Sequence, residues 1–155
     1  VIVDCPRCQT KYMLESQVEK TELQCRTCGE QFMVIGVQDD APTQISRKDK
    51  TLLIPEDKRI YVEIATGPEA GKAYQILKPI VTIGRGSLAD IPLSDAAISR
   101  KHCVIEIAPE RTVLRDLGST NGTYVSGQRI DFVYLQDRAE FDLGKTRIRY
   151  LEISK

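Results

Sequence analysis

Apolar residues recur along most of this chain at a period of two, in short runs, without a convincing helical period. Ile60, Val62 and Ile64 alternate with Tyr61 and Glu63, the signature of a strand with one face buried. Gly67-Pro68-Glu69-Ala70-Gly71 marks a turn, and residues 73–77 a returning strand. Residues 80–83 form a third. Ile91-Pro92-Leu93 reads as a short edge fragment, because proline has no N–H for an interior ladder. Cys103, Ile105 and Ile107 then alternate with Val104 and Glu106, and residues 113–117, 123–125, 141–143 and 147–153 continue the series. Short strands separated by turn signals predict an all-β sandwich from residue 59 to residue 155.

The front of the chain is organised differently. Val1-Ile2-Val3, Tyr12-Met13-Leu14 and residues 32–35 are short apolar runs around Cys5-Pro6-Arg7-Cys8 and Cys25-Arg26-Thr27-Cys28. Two C-x-x-C pairs with sixteen residues between them have the spacing of a zinc site. Each pair forms a knuckle, Gly29 suits the exit turn, and four sulfurs complete a closed tetrahedron at about 2.3 Å per bond. A segment of about 36 residues has too little core to fold by burial alone and needs such a staple. The competing readings are weaker. A disulfide scaffold needs an oxidising compartment, and no secretion signal is visible before Cys5. A thioredoxin-like site uses a single C-x-x-C near a βαβ pattern. A catalytic zinc keeps an open position, which all-cysteine sites usually lack. Cys5, Cys8, Cys25 and Cys28 are therefore expected to hold a structural Zn²⁺, and residues 1–36 resemble the amino-terminal zinc ribbons of bacterial regulatory proteins.

Between the two parts, residues 37–58 alternate acidic, basic and proline residues without apolar periodicity, the composition of a flexible linker. Its one apolar patch, Thr51-Leu52-Leu53-Ile54, reads as a short strand or a docking contact.

Charge narrows the function. The 155 residues carry 22 basic and 22 acidic side chains: 4 and 5 in residues 1–36, 4 and 5 in 37–58, and 14 and 12 in 59–155. No segment is basic enough for a general nucleic-acid binder. No run approaches the roughly 20 apolar residues of a membrane span, so a cytoplasmic protein is the default expectation. No P-loop, paired carboxylates or nucleophile–base pair suggests an enzyme.

Three polar clusters interrupt the strands: Gly84-Arg85, then Ser99-Arg100-Lys101-His102, then Gly118-Ser119-Thr120-Asn121-Gly122. In this order and spacing, with Asp90 to Leu93 between the first two, they resemble the forkhead-associated (FHA) domain. The resemblance runs from about residue 59 to residue 153. It implies a sandwich whose apical loops bind phosphothreonine peptides, in a regulatory adaptor of Ser/Thr kinase signalling whose partners are phosphorylated kinase substrates. Position by position, it places Arg85, Ser99, Arg100, Thr120 and Asn121 in the peptide site, with Gly84, His102, Gly118 and Gly122 in support. The chemistry agrees, because a phosphothreonine brings roughly −1.5 to −2 charge and three acceptor oxygens. Arg85 offers a planar charged fork, Ser99 and Thr120 offer hydroxyl donors, and Asn121 offers both a donor and an acceptor to a peptide backbone.

Ordinary roles are available to the same residues. Arg85 alone would be a surface arginine, Ser99 and Thr120 commonly cap turns, and Lys101 could share the role of Arg100. His102, the one histidine, lacks a nucleophile or metal partner in sequence and is read as a brace. Cys103 falls on the apolar face of its strand and is read as core. Ala96-Ala97-Ile98, just before Ser99, offers no charge for the third residue after a phosphothreonine, so an apolar preference is expected there. A phosphorylated Thr43 or Thr51 in the linker would be an internal ligand. The alternative function is a nucleic-acid or transcription-machinery binder acting through the ribbon.

Overall fold

The computed structural model describes residues 2–14, 20–36 and 52–154. The linker segment 37–51, with Thr43 and Thr51, lies outside the described residues.

Fifteen strands are present among the described residues, and no helix is long and apolar enough to cross a membrane. The expected all-β sandwich is what the chain forms. One sheet contains β7 (Ile80–Arg85), β8 (Ile91–Leu93), β9 (Cys103–Ile107), β10 (Thr112–Asp116) and β13 (Phe132–Leu135), in the order β13-β10-β9-β7-β8. Pro92 sits on edge strand β8, as its missing N–H requires. The second sheet contains β5 (Lys58–Thr66), β6 (Ala73–Ile76), β11 (Thr123–Val125), β12 (Gln128–Ile130), β14 (Ala139–Leu143) and β15 (Thr146–Ser154). Between the sheets, Val62, Ile64, Ile83, Ile105, Leu114, Phe141, Ile148 and Tyr150 are buried in one core.

The second sheet does not stop at β6. Its order is β12-β11-β14-β15-β5-β6-β4-β3, where β3 (Lys20–Gln24) and β4 (Gln31–Ile35) come from the cysteine-rich front of the chain. β4 lies parallel to β6, with Met33, Val34 and Ile35 opposite Tyr74, Gln75 and Ile76. Side chains alternate across a strand, and here each face of β4 enters a different core. Ile35 and Met33 pack into the sandwich. Phe32 and Val34 pack with Val3, Cys5, Cys25 and the sandwich residue Ala73. The remaining front strands, β1 (Ile2–Asp4) and β2 (Lys11–Met13), form a two-stranded sheet over this second core.

This arrangement changes one detail of the sequence pattern. The alternation in β5 predicts Tyr61 on an open face, yet Tyr61 is buried. The cysteine-rich segment covers it, and its hydroxyl donates to the Asp4 carbonyl at 3.0 Å. Asp4 itself is 1% exposed. Its N–H donates to Gln75 Oε1 at 3.0 Å, and its carboxylate pairs with Arg59 and, at 3.3 Å, with Lys11. A buried carboxylate requires such partners. The apolar patch before β5 acts as a docking contact rather than a strand, with Ile54 packed on the sandwich core.

Candidate functional site

The three polar clusters meet at one end of the sandwich, held there by backbone pairing. Gly84 and Arg85 end β7, where the Arg85 N–H donates to the Ser99 carbonyl at 3.0 Å. The His102 N–H donates to Ile83 at 3.1 Å. The chains approach so closely that a Cβ on Gly84 would collide with the Arg100 carbonyl oxygen. Glycine is required here for space.

His102 ties the second cluster to the third. Fully buried, it accepts the Ser99 N–H on Nδ1 at 3.1 Å, and its Nε2 lies 2.9 Å from the Gly122 carbonyl. A carbonyl only accepts, so Nε2 carries the proton and Nδ1 is the acceptor. Both ring nitrogens are thus engaged inside the fold.

Ser99 and Asn121 add two further ties and keep one function each in reserve. Ser99 Oγ accepts the Thr120 N–H at 3.1 Å, so its hydroxyl proton remains available as a donor. Asn121 Nδ2 donates to the Ala97 carbonyl at 2.8 Å, which orients the amide and leaves Oδ1 as an acceptor. Arg85 and Arg100 are exposed, and neither pairs with a carboxylate among the described residues. The site is a ring of donors and cations with one directed acceptor, suited to an anion on an extended chain.

Two aspartates shape these loops, and sequence reasoning passed over both. Asp116, at the end of β10, accepts the Gly118 and Ser119 N–H groups at 3.0 Å, the Ser119 hydroxyl at 2.6 Å and the Thr123 hydroxyl at 2.8 Å. Burial alone would raise its carboxyl, but the Ser119 and Thr123 hydrogen bonds prevail and hold it below the usual range. Ser119 Oγ in turn accepts the Gly122 N–H at 3.0 Å. Asp95 accepts the Ala97 N–H at 2.9 Å and the Lys145 N–H at 2.7 Å, and these bonds lower its carboxyl. The signal available in sequence was the Asp-x-Gly-Ser spacing of residues 116–119, an Asx-type turn.

At the opposite side of the shared sheet, the Sγ atoms of Cys5, Cys8, Cys25 and Cys28 lie within 4.8 Å of one another. The pairs Cys5–Cys28 and Cys8–Cys25 are 3.5 and 3.4 Å apart. A tetrahedron with bonds of about 2.3 Å has edges of about 3.8 Å, so the four sulfurs fit a tetrahedral metal ion. The two knuckles repeat each other. Cys5 and Cys25 donate to the Thr10 and Glu30 carbonyls at 2.9 and 2.8 Å, and accept the Gln9 and Gly29 N–H groups, both at 3.0 Å. Each first sulfur also accepts a backbone N–H, from Arg7 or Thr27, at 3.4 Å. Gln9 therefore takes the left-handed conformation that Gly29 takes in the second knuckle, with φ of 64° and 79°. Tyr12 Oη donates to Cys25 Sγ at 3.2 Å, and Thr10 Oγ1 lies 3.0 Å from Cys8 Sγ. Burial raises the Cys25 thiol, but the Tyr12 hydrogen bond and two backbone N–H groups outweigh it and bring it down to about 5. Cys103, the fifth cysteine, is buried in the sandwich core, and burial raises its thiol.

Comparison with known proteins places this architecture. The family model of the FHA domain matches residues 81–144, which carry all three clusters. An FHA domain solved in a study of phosphothreonine-dependent FHA interactions superposes with a TM-score of 0.55 at 31% identity, covering 60% of this chain and 95% of that one. The chain belongs to the FHA-domain family. Among curated relatives, the glycogen accumulation regulator GarA of Mycolicibacterium smegmatis is 33% identical over 88 residues, covering 57% of this chain and 56% of the relative. The oxoglutarate dehydrogenase inhibitor of Corynebacterium efficiens is 35% identical over 88 residues, covering 57% and 62%. The chain thus spans a little over half the length of these curated relatives.

Proposed function

We propose that this chain is a non-catalytic regulator that binds phosphothreonine peptides through the Arg85–Ser99–Asn121 loops, in Ser/Thr kinase signalling. The observation that carries this reading is the double use of His102, which joins Ser99 to Gly122 while the Ser99 hydroxyl proton and Asn121 Oδ1 stay unspent. Arg85 and Arg100 supply charge to the phosphate, Ser99 and Thr120 supply hydroxyl donors, and Asn121 Oδ1 accepts a peptide N–H. Gly84, Gly118, Gly122 and His102 hold the loops. The phosphothreonine-dependent interactions named for the solved FHA relative support the ligand class, and the regulator and inhibitor names of the curated relatives support the role.

Beside the site, Ile98 turns into the core and leaves the uncharged Ala96 and Ala97 at the surface before Ser99, which favours an apolar residue three places after the phosphothreonine. The four cysteines hold Zn²⁺ as a structural ion, whose chemistry is to fix four thiolates and so the two knuckles. Residues 1–36 form the ribbon, and residues 59–155 form the FHA domain.

Fluorescence anisotropy with a phosphothreonine peptide and its unmodified counterpart tests the assignment. Binding of the phosphorylated peptide alone, lost in Arg85→Ala and Ser99→Ala, is expected. Equal binding of both peptides, or full binding by both variants, would remove the site.

A further inference from the structure

We infer that Arg129 is a positioning residue of the phosphopeptide site, clamping the Thr120–Asn121 loop from outside while Asp116 holds it from within. The inference rests on the phosphothreonine reading above and adds a residue that reading does not use.

Arg129 lies on β12 opposite Tyr124 of β11, two residues beyond the loop it touches. Its side chain runs back along the hairpin, and Nη2 donates to the Ser119 carbonyl at 3.3 Å. On the way it fills the space beside Gly122. A Cβ built there would lie 2.7 Å from Arg129 Nε, 3.0 Å from Cδ and 3.1 Å from Cζ, on a backbone with φ of +90°. The left-handed conformation favours glycine at 122, and the guanidinium stem packs into the space a side chain there would occupy.

Ser119 is the hinge of this arrangement. Its hydroxyl donates to Asp116 and accepts the Gly122 N–H, while its carbonyl takes the Arg129 proton. Asp116 and Arg129 therefore grip Ser119 through opposite groups, and Thr120 and Asn121 lie between it and Gly122, on which Arg129 packs. Arg129 has no carboxylate partner among the described residues, so no ion pair competes for its geometry. Contact with Ser119 and Gly122 sets it. An ordered loop has less freedom to lose when a peptide binds, and pre-organisation of this kind appears as affinity, mainly through slower release. A lysine keeps the charge but has neither the planar fork nor the flat stem to lie on Gly122.

The test uses the full chain with Arg129→Ala and Arg129→Lys. Amide hydrogen exchange at Thr120 and Gly122 is measured without ligand, and release of a phosphothreonine peptide is followed over a salt series. In both variants, exchange at these two amides and peptide release are expected to accelerate about tenfold. Association rate, salt dependence and melting temperature stay close to those of the parent. Unchanged exchange at both amides in Arg129→Ala would overturn the clamp. So would full affinity in Arg129→Lys with a flattened salt dependence in Arg129→Ala, because that pattern belongs to a charge acting on phosphate. If the parent chain binds phosphorylated and unmodified peptides alike, the phosphothreonine reading fails, while the exchange measurement still decides the clamp.

Discussion

The Asp4 N–H donates to Gln75 Oε1 at 3.0 Å across 71 residues of sequence, joining the residue beside Cys5 to strand β6 of the sandwich. Through this bond, the Tyr61–Asp4 bond and the β4–β6 ladder, the cysteine-rich segment and the sandwich form one packed unit. If the four cysteines hold zinc as proposed, a chelator should speed amide exchange in β6 and lower the melting temperature of the sandwich. Unchanged protection of residues 74–76 after chelation would show that the two parts are energetically separate.

Asp4→Asn tests the same junction without touching a metal ligand. It leaves Arg59, which is 15% exposed, without its carboxylate. Removing one partner of a buried pair costs about 3 kcal/mol. Urea denaturation should show a loss of that order, with the metal-to-protein ratio unaltered in a zinc assay.

His102→Phe keeps an aromatic ring but deprives the Ser99 N–H and the Gly122 carbonyl of their partners. Each unsatisfied buried group costs about 1–3 kcal/mol. A drop in phosphopeptide affinity of at least about tenfold is expected, together with a lower melting temperature. Calorimetric titration and a thermal scan would check both.

Gly84→Ala places a methyl group against the Arg100 carbonyl oxygen. The backbone must open at the point where Arg85 and Ser99 are joined, at an overpacking cost of about 1–3 kcal/mol. Chemical denaturation measures that loss, and peptide binding should weaken in parallel because the same hydrogen bond aligns two clusters.

Acid stability follows from Asp116. Its carboxyl is lower in the folded chain than the ordinary 3.8. The stability it contributes is complete above the ordinary carboxylate range and is lost as pH falls through the folded value. Unfolding measured from pH 5 downward should therefore steepen below about pH 4, and Asp116→Asn should flatten that limb while lowering stability at neutral pH.

Much of this was legible in the chain. The period-two runs at residues 60–64 and 103–107 announced strands because half-buried strands impose alternation on their own sequence. Pro92 marked its edge strand for a similarly local reason. β3 and β12 left weaker traces. Residues 20–24 and 128–130 are mostly polar because these strands are exposed at sheet edges, where no core demands an apolar face. The site residues were readable as three clusters, and the local Asp116 turn could have been read from its Asp-x-Gly-Ser spacing. Arg129 could not, because its bond to Ser119 exists only once the β11–β12 hairpin folds back on the loop.

Residues close in the chain, or motifs of fixed spacing, were enough to specify the strand-rich sandwich, the three clusters and the four-cysteine set. Tertiary structure alone decided that β4 would join the sandwich sheet and send its two faces into two cores. Phe32 to Ile35 are apolar on both faces, and a run of that kind does not name its neighbours. Only the open edge of β6, with Gln75 and Tyr61 waiting for the Asp4 backbone, specifies where it docks.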